Sequence, residues 1–299
     1  MSRTGREISK PGLVILDPPR SGELNMAIDE ALLSNATPAW PVVMRVYQWE
    51  RPTLSIGHFQ RIEDRELVPG LRDLPWVRRK TGGGAIVHDQ ELTYSVLIPS
   101  CDNQPSKGHN ESLYRAVHNA IVENLRTLGW NAQLSESCTC DPRKNENAEP
   151  FLCFLRRSPV DLVVGDDNNK ILGSAQRRSR TGLLQHGSFL LRRSQAATEL
   201  HGLLDLSKDL DTCCENGSLS RMPGKEMGVL QSNIASNLGG GSRIESSILE
   251  LDGWIEFLVS SLKQGVSQFL QVQWQLGKLT DLIEDMDGVA LTGNRFPLQ

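Results

Sequence analysis

Three cations, three glycines and an apolar run follow one another in Arg78-Arg79-Lys80-Thr81-Gly82-Gly83-Gly84-Ala85-Ile86-Val87-His88-Asp89. Glycine serves where the backbone takes φ > 0 or comes into van der Waals contact with a ligand. Three in a row carry an entropic cost that a plain surface turn has no reason to bear. The segment reads either as a flexible β-turn or as a loop whose peptide groups lie along a narrow ligand. A second group of residues favours the ligand loop. Lys170 opens Lys170-Ile171-Leu172-Gly173-Ser174-Ala175-Gln176, and His186 follows in Leu183-Leu184-Gln185-His186-Gly187-Ser188-Phe189-Leu190-Leu191. Gly173, Ser174 and Ala175 are small, so the face beside Lys170 offers room for a ligand. An ammonium held near a sheet surface stabilises a developing oxyanion or lowers the pKa of a nearby thiol. The plain alternative is an exposed lysine closing a hairpin.

Cys153 lies in Phe151-Leu152-Cys153-Phe154, and a cysteine among apolar neighbours is often a small buried hydrophobe. As a nucleophile it would act as the thiolate, and a neighbouring cation lowers the free-thiol pKa of ~8.5. Lys170 is the candidate cation, provided that a loop at 150–156 folds back over the start of its strand. His88 and His186 read as hydrogen-bonded residues lining a pocket rather than as catalysts. Ser174 sits in Gly-Ser-Ala and not in a GxSxG elbow, so it is no nucleophile. Arg156, Arg157, Arg177 and Arg178, with Arg180, flank the pocket in sequence. They form either a solvated rim or, on an acidic chain, a local field that steers an acidic partner.

The pair RRxTGGGAxxH and KxxGSAQ…QHGSxLL resembles the lipoate–protein ligase A/octanoyltransferase family of the biotin/lipoate ligase superfamily. Asn25-Met26-Ala27-Ile28-Asp29-Glu30-Ala31 and the stretch from Arg45 to Gly57 fit that family in order and spacing, and the likeness runs from about Leu13 to about Leu230, more loosely to Leu282. Cys153-Phe154 ahead of the lysine motif looks most like the cysteine-dependent octanoyl-carrier-protein:protein octanoyltransferases. The resemblance implies Cys153 and Lys170 as catalytic residues. It implies Arg78, Arg79, Gly82, Gly83, Gly84, His88, Gly173, Ser174, Ala175 and His186 as substrate contacts, and Arg156, Arg157, Arg177 and Arg178 as partner contacts. It also implies acyl carrier protein as donor, with a lipoyl domain (glycine cleavage H protein or a 2-oxoacid dehydrogenase E2) as acceptor. No cofactor is then needed. The alternatives are an ATP- and Mg2+-dependent lipoate–protein ligase, an octanoyl amidotransferase between lipoyl domains, and an inactive carrier-binding module.

The whole chain sets bounds on these readings. Its 299 residues, 38% of them hydrophobic, suffice for a core, and a net charge of −4 argues against a generic nucleic-acid binder. No run approaches the ~18 apolar residues of a membrane span. The first residues lack the apolar centre of a signal peptide, so the expected location is the cytoplasm. Cys138-Thr139-Cys140 and Cys213-Cys214 lack the paired CxxC spacing of a zinc site and read, without metal, as loop cysteines.

Elements must hold these residues in place. Strands are expected at 12–17, about 42–49, about 53–58 and 92–98, with three antiparallel strands across 160–191. Helices are expected at 25–35, at 111–128 with Gly129 ending it, at 246–264 and at 279–287, with a strand near 269–274. Polar loops fall at about 136–149 and 207–225. Strands come in runs rather than in strict βαβ alternation. The expectation is therefore one α+β domain over 1–299 with its core at about 12–282, mostly antiparallel, of the biotinyl/lipoyl protein ligase type.

Overall fold

The computed structural model describes residues 11–100, 109–136, 150–206 and 243–282. The two expected polar loops, apart from Glu136, and Cys101, Cys138, Cys140, Cys213 and Cys214 lie outside them.

Branched and aromatic runs build an α+β fold around a large mixed sheet. Its strands are β1 (Gly12–Leu16), β2 (Val43–Tyr47), β6 (Glu91–Pro99), β7 (Ala132–Leu134), β8 (Leu162–Val164), β9 (Asn169–Arg178), β10 (Gly182–Leu190) and β11 (Trp274–Leu276), in the order β11-β1-β2-β6-β10-β9-β8-β7. A small sheet pairs β3 (Thr53–Ile56) with β4 (Trp76–Arg78) and β5 (Ile86–His88). Most ladders are antiparallel; β1 pairs in parallel with β2 and β11, and β3 with β4.

Alternation along β6 divides the sheet into two faces. Leu92, Tyr94, Val96 and Ile98 pack under α2 (His109–Thr127) and α3 (Arg243–Leu270), together with Leu113, Val117, Ile121, Leu258 and Leu262. Leu97 points the other way, toward Ile28, Leu32 and Leu33 of α1 (Gly22–Asn35). Gly129, at φ 89°, stops α2 with the bonds Gly129 N–H to Arg126 O and Trp130 N–H to Leu125 O, as its position in the sequence indicates. The C-terminal expectation shifts: α3 continues past 264 to Leu270, because Val266 and Leu270 keep its apolar stripe on the core. The following strand is therefore at Trp274–Leu276, and of the helix expected at 279–287 the described residues show a 3-10 turn at Leu279–Asp281, residues 283–287 lying outside them. The short edge strand β7 carries too few residues to announce itself in the sequence.

Arg45, in mid-β2, is fully buried and ties α1 to the sheet. Its guanidinium donates to Asp17 Oδ2 (2.7 Å), Asp29 Oδ1 (3.0 Å) and Asn25 Oδ1 (2.6 Å), and lies 3.8 Å from the centre of the Tyr47 ring. Breaking such a pair strands its partners without water. Arg45→Leu is expected to cost about 3–5 kcal/mol of unfolding free energy in urea titration, and a loss under about 1 kcal/mol would show that Arg45 does not anchor α1.

Candidate active site

The glycine loop is built around a buried cation. Arg79 turns inward, donating from one nitrogen to the carbonyl and hydroxyl oxygens of Ser55 (both 2.7 Å) and from another to Gly84 O (2.8 Å) and Gly82 O (3.3 Å). Burial pulls Arg79 down to about 10, with Cys153 acting in the opposite direction, so it stays charged near neutrality. Gly83 takes φ +94°, a backbone that a side chain would resist. Thr81 fixes the far side of the loop by a 2.7 Å hydrogen bond with His186 Nε2.

The end of this loop carries the cysteine. Ala85 N–H donates to Phe151 O (2.9 Å), and Cys153 N–H donates back to Ala85 O (2.7 Å). Gly84 makes the approach possible, since a Cβ there would lie 2.8 Å from both Cα and N of Cys153. Cys153 begins a single 3-10 turn, Cys153–Leu155, and is half-buried.

Lys170 reaches the cysteine because of a β-bulge. Leu162 faces Leu172 while Val163 faces Lys170, so Ile171 is the extra residue. Ile171 and Leu172 both point into the core under α2, and the alternation that would have put Lys170 there is broken. Its ammonium is 2.8 Å from Asp161 Oδ2, 3.2 Å from Cys153 O and 3.7 Å from Cys153 Sγ. Both ends of the Lys170–Asp161 pair are buried, with side chains 3% and 6% exposed. Gly173 leaves space that Lys170 itself takes up: an added Cβ would meet Lys170 Cε at 2.7 Å and Nζ at 3.1 Å.

Ser174 differs from its expected role. Its backbone lines the cavity, but its hydroxyl faces α2 and accepts from Tyr94 O–H (2.7 Å) while donating to His118 Nε2 (2.7 Å). His118 Nδ1–H donates to Val160 O, which fixes the tautomer and braces the turn before Asp161. Burial pulls His118 down to about 4 and pushes Tyr94 up to about 12, so both are neutral.

The cavity in front of Cys153 has an empty volume of about 440 Å³ counted to its open mouth. Arg79, Gly82, Gly83, His88, Gly173, Ser174, Ala175 and His186 line it as expected by position. His88 bonds Ser55 Oγ (2.7 Å) and Glu91 Oε1 (2.9 Å), stacks on Trp49 at 3.8 Å, and is pulled down by burial. Arg78 lies elsewhere: it donates to Gln60 O (2.6 Å) and lines a neighbouring groove. Gly84 sits beneath Cys153 rather than in the cavity wall. Arg156 donates to Pro150 O, and Arg157 to Phe154 O and Asn168 O, which brace the cysteine turn; Arg177 and Arg178 are exposed, with Arg177 reaching Lys80 O. Asp161, His118, Met26, Tyr47 and Trp49 were missed from sequence. Only Asp161 carried a signal, as an acid at the head of the strand paired with that of Lys170.

Residues 21–222 match the lipoyl protein ligase A/B catalytic domain family, so the chain belongs to that family. Curated relatives include the octanoyltransferase LipM of Anoxybacillus flavithermus, 40% identical over 57% of this chain and 62% of the relative. That of Geobacillus kaustophilus is 41% identical over 56% and 60%. The matched part thus spans only about 60% of the length of these relatives. In fold the chain is similar to lipoate-protein ligase A bound with ATP (TM-score 0.56, 21% identity, covering 95% of this chain and 94% of that one). It is also similar to the bi-partite lipoate protein ligase of Thermoplasma acidophilum (TM-score 0.54, 19% identity, 94% and 91%). Among the described residues no helix is long and apolar enough to cross a membrane.

Two predictions test the site's supports. Gly173→Ala leaves the fold intact but displaces the flexible end of Lys170, so alkylation of Cys153 by iodoacetamide at pH 7 should slow several-fold with little change in melting temperature; an unaltered rate would mean that Lys170 does not act on the sulfur. His118, held well below its unfolded value near ~6.5, binds its proton only in the unfolded chain between about pH 6.5 and 4. Stability should therefore fall as pH drops through that window. His118→Gln should flatten the slope of melting temperature against pH there, and an identical slope would remove His118 as its source.

Proposed function

We propose that this chain is a protein octanoyltransferase for lipoylation that works through a Cys153 acyl-enzyme. The observation that carries the reading is the Lys170 ammonium 3.7 Å from Cys153 Sγ at the mouth of an apolar cleft, in a family whose curated relatives are named octanoyltransferases. A cation at that distance attracts a thiolate.

In this reading the Cys153 thiolate attacks the carbonyl carbon of an octanoyl thioester on acyl carrier protein. The carbonyl electrons move to oxygen, and Lys170 stabilises the oxyanion. As the oxyanion collapses, the carrier sulfur leaves and takes up the proton that Cys153 gave up, leaving octanoyl on Cys153 Sγ. A neutral lysine amine of a lipoyl domain then attacks the same carbon. Collapse of the second oxyanion forms the amide, expels the Cys153 thiolate and releases the amine proton to solvent. The two half-reactions use one nucleophile in turn and need no nucleotide. Asp161 holds Lys170 in place through both steps. The exposed Arg177 and Arg178 steer the acidic carriers.

The test mixes purified protein with octanoyl carrier protein, with and without ATP. Octanoyl should appear on Cys153 by mass spectrometry without ATP, and then move to an added lipoyl domain. Cys153→Ser should abolish transfer, and Lys170→Ala should slow acylation more than tenfold, or by about 1.4 kcal/mol of barrier. Full activity of the serine variant, or transfer that requires ATP, would replace this reading with that of a ligase.

A further inference from the structure

We propose that Met26 closes the inner end of the acyl cleft and sets the longest acyl chain this protein accepts. The inference rests on the cleft being an octanoyl site, and it names the residue that would select chain length there. Met26 lines both the cleft and a second, larger groove that adjoins it. His186 is the other residue common to the two spaces.

The walls around that end differ in how they are held. Trp49 is fixed by its indole N–H bond to Thr93 Oγ1 (2.9 Å) and by its stack on His88. Tyr47 is fixed by its hydroxyl bond to Asp29 Oδ2 (3.0 Å) and by Arg45 over its ring. His186 is held by Thr81 at 2.7 Å. Met26 is half-buried and packs against Tyr47, Trp49 and Val77 through apolar contact. Its unbranched side chain has three rotatable bonds and adapts to what it touches. An acyl chain carried at Cys153 lies along walls that Met26 completes, and Met26 is where those walls meet the neighbouring groove. That space offers apolar walls in Ala27, Leu33, Leu184 and Trp76, with Glu23, Glu30, Lys80 and Arg177 around them. Met26 is thus the plug between a cleft for a short chain and a groove that would take a longer one.

Calorimetric titration with unreactive octanoate and dodecanoate tests the plug without relying on transfer. The wild type should bind octanoate at least tenfold more tightly than dodecanoate. In Met26→Ala that ratio should shift toward dodecanoate by tenfold or more. Met26→Phe, which fills the same place, should lose octanoate and retain hexanoate, and it decides the matter if the alanine variant does not fold. Unchanged preferences in the folded variants, or a wild type that binds none of these acids, overturn the proposal. If the preferences shift as expected while Cys153 forms no octanoyl adduct, the plug stands and the transferase reading fails.

Discussion

A cation without water access between two carboxylates organises this molecule. Arg45 lies between Asp17 and Asp29: Asp17 is shared with the partly exposed Arg20, which donates to both its oxygens at 2.9 Å, whereas Asp29 otherwise takes hydroxyl donors and the more distant His186. Burial by itself would raise the pKa of Asp29, but the surrounding donors and charges, His186 and Arg45 foremost, outweigh it and hold the acid lowered and ionised. That one carboxylate then places the Tyr47 hydroxyl and the Ser95 hydroxyl, and stands 3.8 Å from His186, which grips the glycine loop through Thr81. A buried charge pair is weak evidence for added stability. Here its consequence is positional: α1, the sheet and the glycine loop share one register because the same carboxylate serves all three.

The reactive end of the cleft is assembled differently. Strand β9 supplies the cation and the turn Cys153–Leu155 supplies the sulfur, and two glycines allow each to come close. The bulge matters more than propensity here. With regular pleating Lys170 would face α2, where it would be an unpaired charge in an apolar core. With one extra residue it turns to Asp161 and Cys153, and Ile171 takes its place in the core.

Much of this arrangement was legible in the residues, and the exceptions have physical reasons. The central strands and α2 announce themselves because each buries a periodic apolar face, and Gly129 marks a helix end by its backbone requirement. Lys170 and Cys153 could be paired from the sequence only as a possibility of the 150–156 loop, since a bulge leaves no compositional trace. Gly173 was read as making room for a ligand; it lines the cleft and also makes room for the Lys170 chain. Ser174 lines the cleft by position, while alternation turns its hydroxyl to Tyr94 and His118, a detail that a small polar residue in a glycine motif does not announce. Trp49 and Tyr47 were hidden for the opposite reason, since aromatic residues on strands look like ordinary core.

The polar network behind the sheet explains how a lysine and an acid can be buried beside a thiol without disorder. His118 is neutral, so it adds no second positive charge next to Lys170, and it still satisfies Val160 O and the Ser174 hydroxyl. Tyr94 completes the chain by donating to Ser174 and accepting from Gln185. A charged residue at 118 would repel Lys170, and an apolar one would leave Ser174 and Val160 unpaired in the interior. A neutral group that both donates and accepts meets both demands, and in doing so it holds the turn that presents Asp161 to Lys170. The charged side of the sheet can thus be tuned for chemistry because the other side has been kept electrically quiet.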